Sequence, residues 1–440
     1  MYLIYQLLKV IVKIGFRIYF RSTRVANRQH LRFKGPAIVV SNHPNTLMDV
    51  LNVAAQARAQ FHFLANSGLF KSRFGNWFFN TFYCIPIERL LDSNGKPVNN
   101  AANFARADAH LAKGGTLYIA PEGTSWMKRH LHPLKTGTAR MAFSAESKKD
   151  YQLNLQIVPV GVNYSDPTRF RGTVFINAGA PLYVRDFREL YEQDPIHAVR
   201  HVTSLLEERL RPLMIDTRNE AEDELVKTLE NILQNSAPLP LEGQFQRTKQ
   251  LIDQLRIWQA NDPTAQRNFQ ESVEDYATNL SQNRLHDAAL ARDTGLRWWW
   301  QIPTLLLGLP LFLYGYLNHL LPAYIPVAAL HRLRTRANLY IGYSSTVLFA
   351  VGVFTFPICY WLQSEVVAWL AGSTVSWWYL LSLPIAGFFT LWYQNIARQA
   401  QADWRWQQLE TATKAALRKK RAALWSQLQK TLTFDTKTAV

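Results

Sequence analysis

The sequence predicts an α/β domain with a largely buried sheet, followed by a helical linker region and a C-terminal α-helical transmembrane domain. Three observations predict it. Short β-branched runs alternate with Ala-, Leu-, Arg- and Lys-rich stretches over residues 31–215. The next stretch, 216–295, is polar and helix-prone. Beyond it, long uncharged runs carry tryptophans near their ends, with 11 of the 14 tryptophans at or after Trp298. Indole has an apolar body and one N–H donor, which suits the headgroup level of a bilayer.

The strand signals come in order. Ala37–Val40, Thr116–Ala120, Leu155–Val162 and Thr173–Ile176 are runs of strand type, the second following the turn signal Gly114-Gly115. Asn100–Lys113 and Thr138–Lys148 read as helices between them. In 216–295, Leu225, Leu229, Ile232 and Leu233 have helical spacing, as do Leu251, Ile252, Leu255 and Trp258, with a break at Ser236–Pro240. This region carries no catalytic signal.

Within 296–395, residues 339–362 and 375–393 are uncharged and predict transmembrane helices. Residues 298–330 contain Pro303, Pro310, Pro322 and Pro326 and read either as one span or as a re-entrant hairpin. The basic run His331–Arg336 and the basic tail 396–440 both point to the cytoplasmic side under the positive-inside rule. That favours the hairpin, if the N-terminal domain is cytoplasmic too. At the other end, residues 1–30 predict an interfacial amphipathic helix, with Lys9, Lys13 and Arg17 on one face.

The net charge of +17 calls for an anionic partner. No zinc, helix-turn-helix or RNA-recognition signature is present, so nucleic acid is not expected. Anionic membrane lipid is. Cys84 and Cys359 are far apart in sequence and offer neither metal-ligand spacing nor a disulfide framework.

Four clusters carry chemistry. Ser41-Asn42-His43-Pro44-Asn45-Thr46-Leu47-Met48-Asp49 follows a strand directly; an imidazole with a nearby carboxylate suits general-base work. Ile85-Pro86-Ile87-Glu88-Arg89 ends an apolar segment with a guanidinium suited to phosphate. Pro121-Glu122-Gly123-Thr124-Ser125 also follows a strand, and Lys135 lies just before a helix. Ile157-Val158-Pro159-Val160-Gly161 is a buried strand.

Their order and spacing resemble the four-block signature of the glycerolipid acyltransferase superfamily, over roughly residues 31–215. The His and Pro-Glu-Gly-Thr-Ser blocks are the specific ones. The resemblance implies a mixed sheet flanked by helices. It implies acyl transfer from an acyl-CoA or acyl carrier protein thioester to glycerol 3-phosphate or its 1-acyl form, lysophosphatidate, in phospholipid biosynthesis. His43 would be the base and Asp49 its partner. Arg89, Glu122, Gly123, Thr124 and Lys135 would hold the glycerol phosphate, and Pro159 would border the acyl channel. No cofactor or metal is implied, and the active site would face the cytoplasm.

One feature departs from the family pattern. Five residues, where four are usual, separate His43 from Asp49. Six positions on a regular helix is about 600°, off any shared face, so the turn at Pro44 must bring Asp49 back. A similar gap resembles the fungal glycerol-3-phosphate/dihydroxyacetone-phosphate branch, which nudges the expected acceptor toward the unacylated glycerol phosphate. A non-catalytic lipid-binding membrane protein is the competing class.

Overall fold

A computed structural model describes residues 2–81, 83–88, 99–291 and 298–431. Arg89 lies outside the described residues. The chain divides into two compact units: 1–216 with 332–349, and 217–331 with 350–440.

The strands are β1 (Ser22–Ala26), β2 (Ala37–Ser41), β3 (Phe61–Asn66), β4 (Cys84–Ile87), β5 (Thr116–Ile119), β6 (Gln156–Tyr164), β7 (Thr173–Ala178) and β8 (Leu182–Tyr183). The first unit's helices are α1 (Tyr2–Tyr19), α2 (Leu47–Gln56), α3 (Arg73–Thr81), α4 (Ala101–Ala112), α5 (Gly137–Ser147), α6 (Arg188–Gln193) and α7 (Pro195–Leu210). The sheet order is β1-β7-β6-β2-β5-β3-β4, with β8 also paired to β6. Strands β6, β2, β5, β3 and β4 run parallel, whereas β7 is antiparallel to β6.

The sheet is therefore mixed and covered on both faces, which is why β2 reads as an unbroken apolar run. Ile38, Val40, Leu117, Ile119 and Ile157 point to one face and join a core with α4, α5 and α7. On the other face Ser41 meets Tyr118, and Asn52 of α2 donates to the Tyr164 hydroxyl at 3.3 Å. Helix α1 also lies here, where its Tyr5 hydroxyl accepts from the Phe61 N–H at 3.1 Å.

The four expected strands are present. Four others, β1, β3, β4 and β8, escape the sequence reading: β3 carries His62 and Asn66, β4 carries Pro86 at the sheet edge, and β8 has two residues. Proline sits in β6 at no loss of pairing. Its backbone N would face the side where the partner changes from β8 (at 156–157) to β7 (from 160), and its carbonyl accepts from Gly179 N–H at 2.8 Å on that side.

The second unit holds α8 (Glu220–Ser236), α9 (Leu241–Asn261), α10 (Pro263–Gln282), α11 (Asp287–Ala291) and the long helices α12 (Trp298–Ala337), α13 (Ser344–Ala371) and α14 (Ser373–Gln408), followed by α15 (Thr411–Thr431). Residues 332–349 of α12, α13 and their connection belong to the first unit. Helices α12, α13 and α14 are each long and apolar enough to cross a membrane. At about 1.5 Å per residue, even α13 reaches past the ~30 Å hydrocarbon core.

The proline-rich stretch, expected as one span or a re-entrant hairpin, is one 40-residue helix that bends without ending, because a proline deletes one hydrogen bond and neighbours support the rest. Its first half runs along α14, from Gln301 at Asp403 to Asn318 at Tyr379, and its second half returns along α13, from Asn318 at Gln363 to Pro322 at Thr355. The described part of the basic tail is folded. Leu417, Leu424 and Leu428 recur at helical spacing and are buried, and Arg421 reaches Asp287 through two bonds of 2.8 and 3.1 Å.

That pair is nearly enclosed, and Asp287 also accepts from Tyr276 at 2.6 Å and Asn235 at 2.9 Å. Removing one partner strands a buried charge. Arg421→Ala should therefore lose about 3–5 kcal/mol, read as a lower thermal midpoint of the α-helical circular dichroism signal.

Candidate active site

The site forms where the carboxyl ends of the neighbouring parallel strands β2 and β5 meet, a usual place for sites in α/β sheets. Residues 43–46 leave β2 in a turn, and α2 begins only at Leu47. Thr46, the helix N-cap, has φ 47°, a left-handed conformation that a β-branched residue rarely adopts. This strained corner resolves the spacing problem. It places Asp49 in the first turn of α2, facing back, with His43 Nδ1 3.0 Å from Asp49 Oδ2.

The same oxygen accepts the Asn45 N–H at 2.7 Å. Asp49 is fully buried and lies in the first turn of α2. The carboxylate acts on its surroundings: burial, and then the Asp49 charge, hold the Tyr164 phenol well above its ordinary range. With Nδ1 donating to Asp49, Nε2 of the 17 %-exposed His43 side chain is the basic nitrogen.

The Pro-Glu-Gly-Thr-Ser loop braces this corner. Glu122 Oε1 accepts the His43 N–H at 2.9 Å, and Oε2 accepts the His132 N–H at 3.2 Å. Ser125 Oγ donates to the His43 carbonyl at 2.8 Å and accepts the Thr46 N–H at 3.2 Å. Gly123 has φ +77°, and a Cβ there would lie 3.5 Å from Lys135 Cγ, so the Lys135 stem runs beside the loop. Thr124 sits between Gly123 and the Ser125 latch.

Thus His43, Asp49, Glu122, Gly123, Thr124 and Lys135 gather at one place. Pro159 is buried within β6, its carbonyl on Gly179. Glu122's observed partners are the backbone N–H groups of His43 and His132.

Several residues escape the sequence reading. Asn42 clamps β6 with both amide atoms, its Nδ2 donating to Val162 O at 3.0 Å and its Oδ1 accepting from Val162 N at 2.7 Å. Within the same unit, the start of α13 docks on the His43–Asp49 corner: Thr46 Oγ1 lies 2.7 Å from Thr346 Oγ1, and Ser345 Oγ and Asn45 Nδ2 share the Pro167 carbonyl at 2.5 and 2.7 Å. Nothing local in the sequence signals a contact across 300 residues. Leu47, Trp126, Tyr340 and Ile341 are exposed around this corner and give it an apolar rim.

Burial pushes the Glu122 carboxyl up to about 7, against the pull of the two backbone N–H groups. Between about pH 4.5 and 7 the folded protein keeps a proton that the unfolded chain has released. This stabilisation is complete below the unfolded value, declines across that window and is gone above about 7. Accordingly, the thermal midpoint of wild type minus that of Glu122→Gln should fall as pH rises through the window, then level off.

The acyltransferase family profile matches residues 22–163. The chain is 26 % identical over 171 residues to glycerol-3-phosphate O-acyltransferase 1 of Saccharomyces cerevisiae, an overlap of 38 % of this chain and 22 % of that protein. It is 31 % identical over 103 residues to glycerol-3-phosphate O-acyltransferase 2 of the same yeast, covering 23 % and 14 %. The chain thus spans under a quarter of the length of these curated relatives. A crystal structure of the 1-acyl-sn-glycerophosphate acyltransferase of Thermotoga maritima superposes with TM-score 0.32 at 21 % identity, over 46 % of this chain and 78 % of that one. Residues 22–163, which hold the His43–Asp49 corner and the Glu122 loop, are the part of the chain that matches the acyltransferase family.

Proposed function

We propose that this protein transfers a fatty acyl group from a thioester, acyl-CoA or acyl carrier protein, to a hydroxyl of glycerol 3-phosphate or dihydroxyacetone phosphate. The observation that carries the reading is the His43–Asp49 pair at 3.0 Å at the end of β2, with Nδ1 committed to Asp49. In this reading His43 Nε2 takes the acceptor hydroxyl's proton as the oxygen attacks the thioester carbonyl, and Asp49 stabilises the resulting imidazolium. The C–S bond breaks as the tetrahedral intermediate collapses, and His43 returns the proton to the leaving thiolate. Lys135 and Arg89 supply cations for the acceptor phosphate, and the apolar rim receives the acyl chain.

The unacylated acceptor is favoured by the five-residue gap between His43 and Asp49 and by the names of the two yeast relatives. Purified protein with a labelled acyl thioester, offered glycerol 3-phosphate, dihydroxyacetone phosphate and lysophosphatidate separately, tests this. Preference for either unacylated acceptor supports it. Preference for lysophosphatidate overturns the substrate assignment, and no transfer to any of them overturns the enzymatic reading.

Chain connectivity supports a membrane topology for the same protein. Among the described residues, no helix between 217 and 291 is apolar enough to cross. Helix α12 therefore begins on the acyltransferase side, and its end, with 332–349, is part of the acyltransferase unit. A segment with both ends on one side crosses an even number of times, so a single helix there does not cross. Within the second unit, α12 packs its Asn318 and His319 on Tyr379 and Tyr360, near the α13–α14 turn at Gly372.

In this reading α12 enters the membrane and bends back to the side it started from, α13 and α14 cross out and back, and the active site faces the cytoplasm. Single cysteines in a cysteine-free background, Lys34→Cys, Thr335→Cys and Ser373→Cys, probe this in sealed vesicles. The first two should label from the same face and the third only from the other. Labelling of 34 and 335 from opposite faces would overturn it.

A further inference from the structure

A cavity of about 480 Å³ opens beside α1, with Lys9, Lys13, Arg28, Arg32 and Arg58 in its lining and no acidic side chain. Lys9 donates to the Ala57 carbonyl, and Arg28 Nη2 donates to Gln56 Oε1 at 2.8 Å; both acceptors are neutral. Elsewhere Arg256 is neutralised by Glu222 and Arg421 by Asp287. Here five like charges are gathered without a counter-charge, an arrangement that an external anion would balance. Lys9 registers the crowding: burial, and then the charge of Lys13, lower its ammonium to about 8.

The neighbouring surface says where the anion comes from. Helix α1 buries Tyr5, Phe16 and Tyr19 against its own unit and exposes Leu3, Leu7, Ile14 and Ile18 on a different face. An apolar stripe beside a cationic cavity is the layout of a helix lying at a lipid surface, with acyl chains below and phosphates at its flank. At about 480 Å³ the cavity is within the usual range of small-ligand pockets, roughly 300–1,000 Å³. We propose that this cavity is an anion site that seats the phosphate of an anionic lipid headgroup, fixing α1 in the interface. None of its lining residues belongs to the His43 corner, so the proposal does not rest on acyl transfer and is tested without an acyl donor.

The test uses flotation of the full-length protein with phosphatidylcholine vesicles containing or lacking phosphatidate. The pocket variant is Lys9→Gln/Arg28→Gln/Arg58→Gln. A control of equal charge loss outside the cavity is Arg21→Gln/Arg24→Gln/Lys34→Gln. At about fivefold per cation near an anionic surface, the pocket variant, which loses three, should lose about 10²-fold in affinity for phosphatidate vesicles. The control should lose at least tenfold less. Equal losses would show diffuse charge and overturn the site.

A titration with inorganic phosphate separates the two phosphate sources. If the pocket variant loses binding of free phosphate while vesicle affinity is unchanged, the lipid assignment is overturned. Wild-type protein supplies a check that needs no variant: phosphatidate in mixed micelles should raise its thermal midpoint above that in phosphatidylcholine alone, and no rise would also overturn the proposal.

Discussion

His43→Ala should reduce acyl transfer at saturating substrates by about 10²–10⁴-fold, the range that a positioned general base contributes. The glycerol hydroxyl is too weak an acid to attack a thioester unaided near neutral pH, and the two carboxyl groups of this corner are already engaged. Glu122 already accepts two backbone N–H groups, and the Asp49 oxygen facing His43 also holds the Asn45 N–H. The fold should survive the change. Asp49 keeps the Asn45 hydrogen bond, and the Glu122 and Ser125 brackets hold His43 through its main chain. The variant should therefore bind membranes like wild type and keep its thermal midpoint within a few degrees. Activity within tenfold of wild type would remove His43 from the mechanism.

What the sequence made legible follows the range of each signal. Strand β2 and the chemistry at its end could be read because a doubly covered parallel strand is apolar without interruption and its functional loop follows at once. Strands β3 and β4 could not: His62 and Pro86 break the apolar pattern, and only neighbouring strands reveal that their positions belong to a sheet. The His43–Asp49 pairing could be anticipated but its geometry could not, since it depends on a left-handed backbone at Thr46 that no propensity scale assigns to threonine. That backbone is held by Ser125 and Thr346, one 79 and the other 300 residues away. Likewise the role of Glu122 could not be read from its type. A carboxylate in a glycine-containing loop suggests a ligand contact, whereas its neighbours turn it inward onto two amides.

Asp49→Asn should lower the acyl-transfer rate by about 10²-fold while leaving the architecture of the corner in place. The reasoning rests on one atom. Oδ2 takes both hydrogen bonds, from His43 Nδ1 at 3.0 Å and from Asn45 N at 2.7 Å. An amide oxygen in the same position can take both as well, so the substitution removes the charge and keeps the geometry. A hydrogen bond to a charged group contributes roughly 1.5–3 kcal/mol, and the imidazolium exists only after proton transfer, so most of that loss falls on the transition state. At about 1.4 kcal/mol per tenfold the rate should fall between about 10- and 150-fold. Charge removal also leaves a signature that a loosened fold would not: kcat and kcat/KM should fall together while KM and the thermal midpoint stay near their wild-type values. A slower enzyme with a raised KM and a lowered midpoint would mean that Asp49 acts by shaping the loop rather than through its charge, and would reduce it from an electrostatic partner of His43 to a positioning residue.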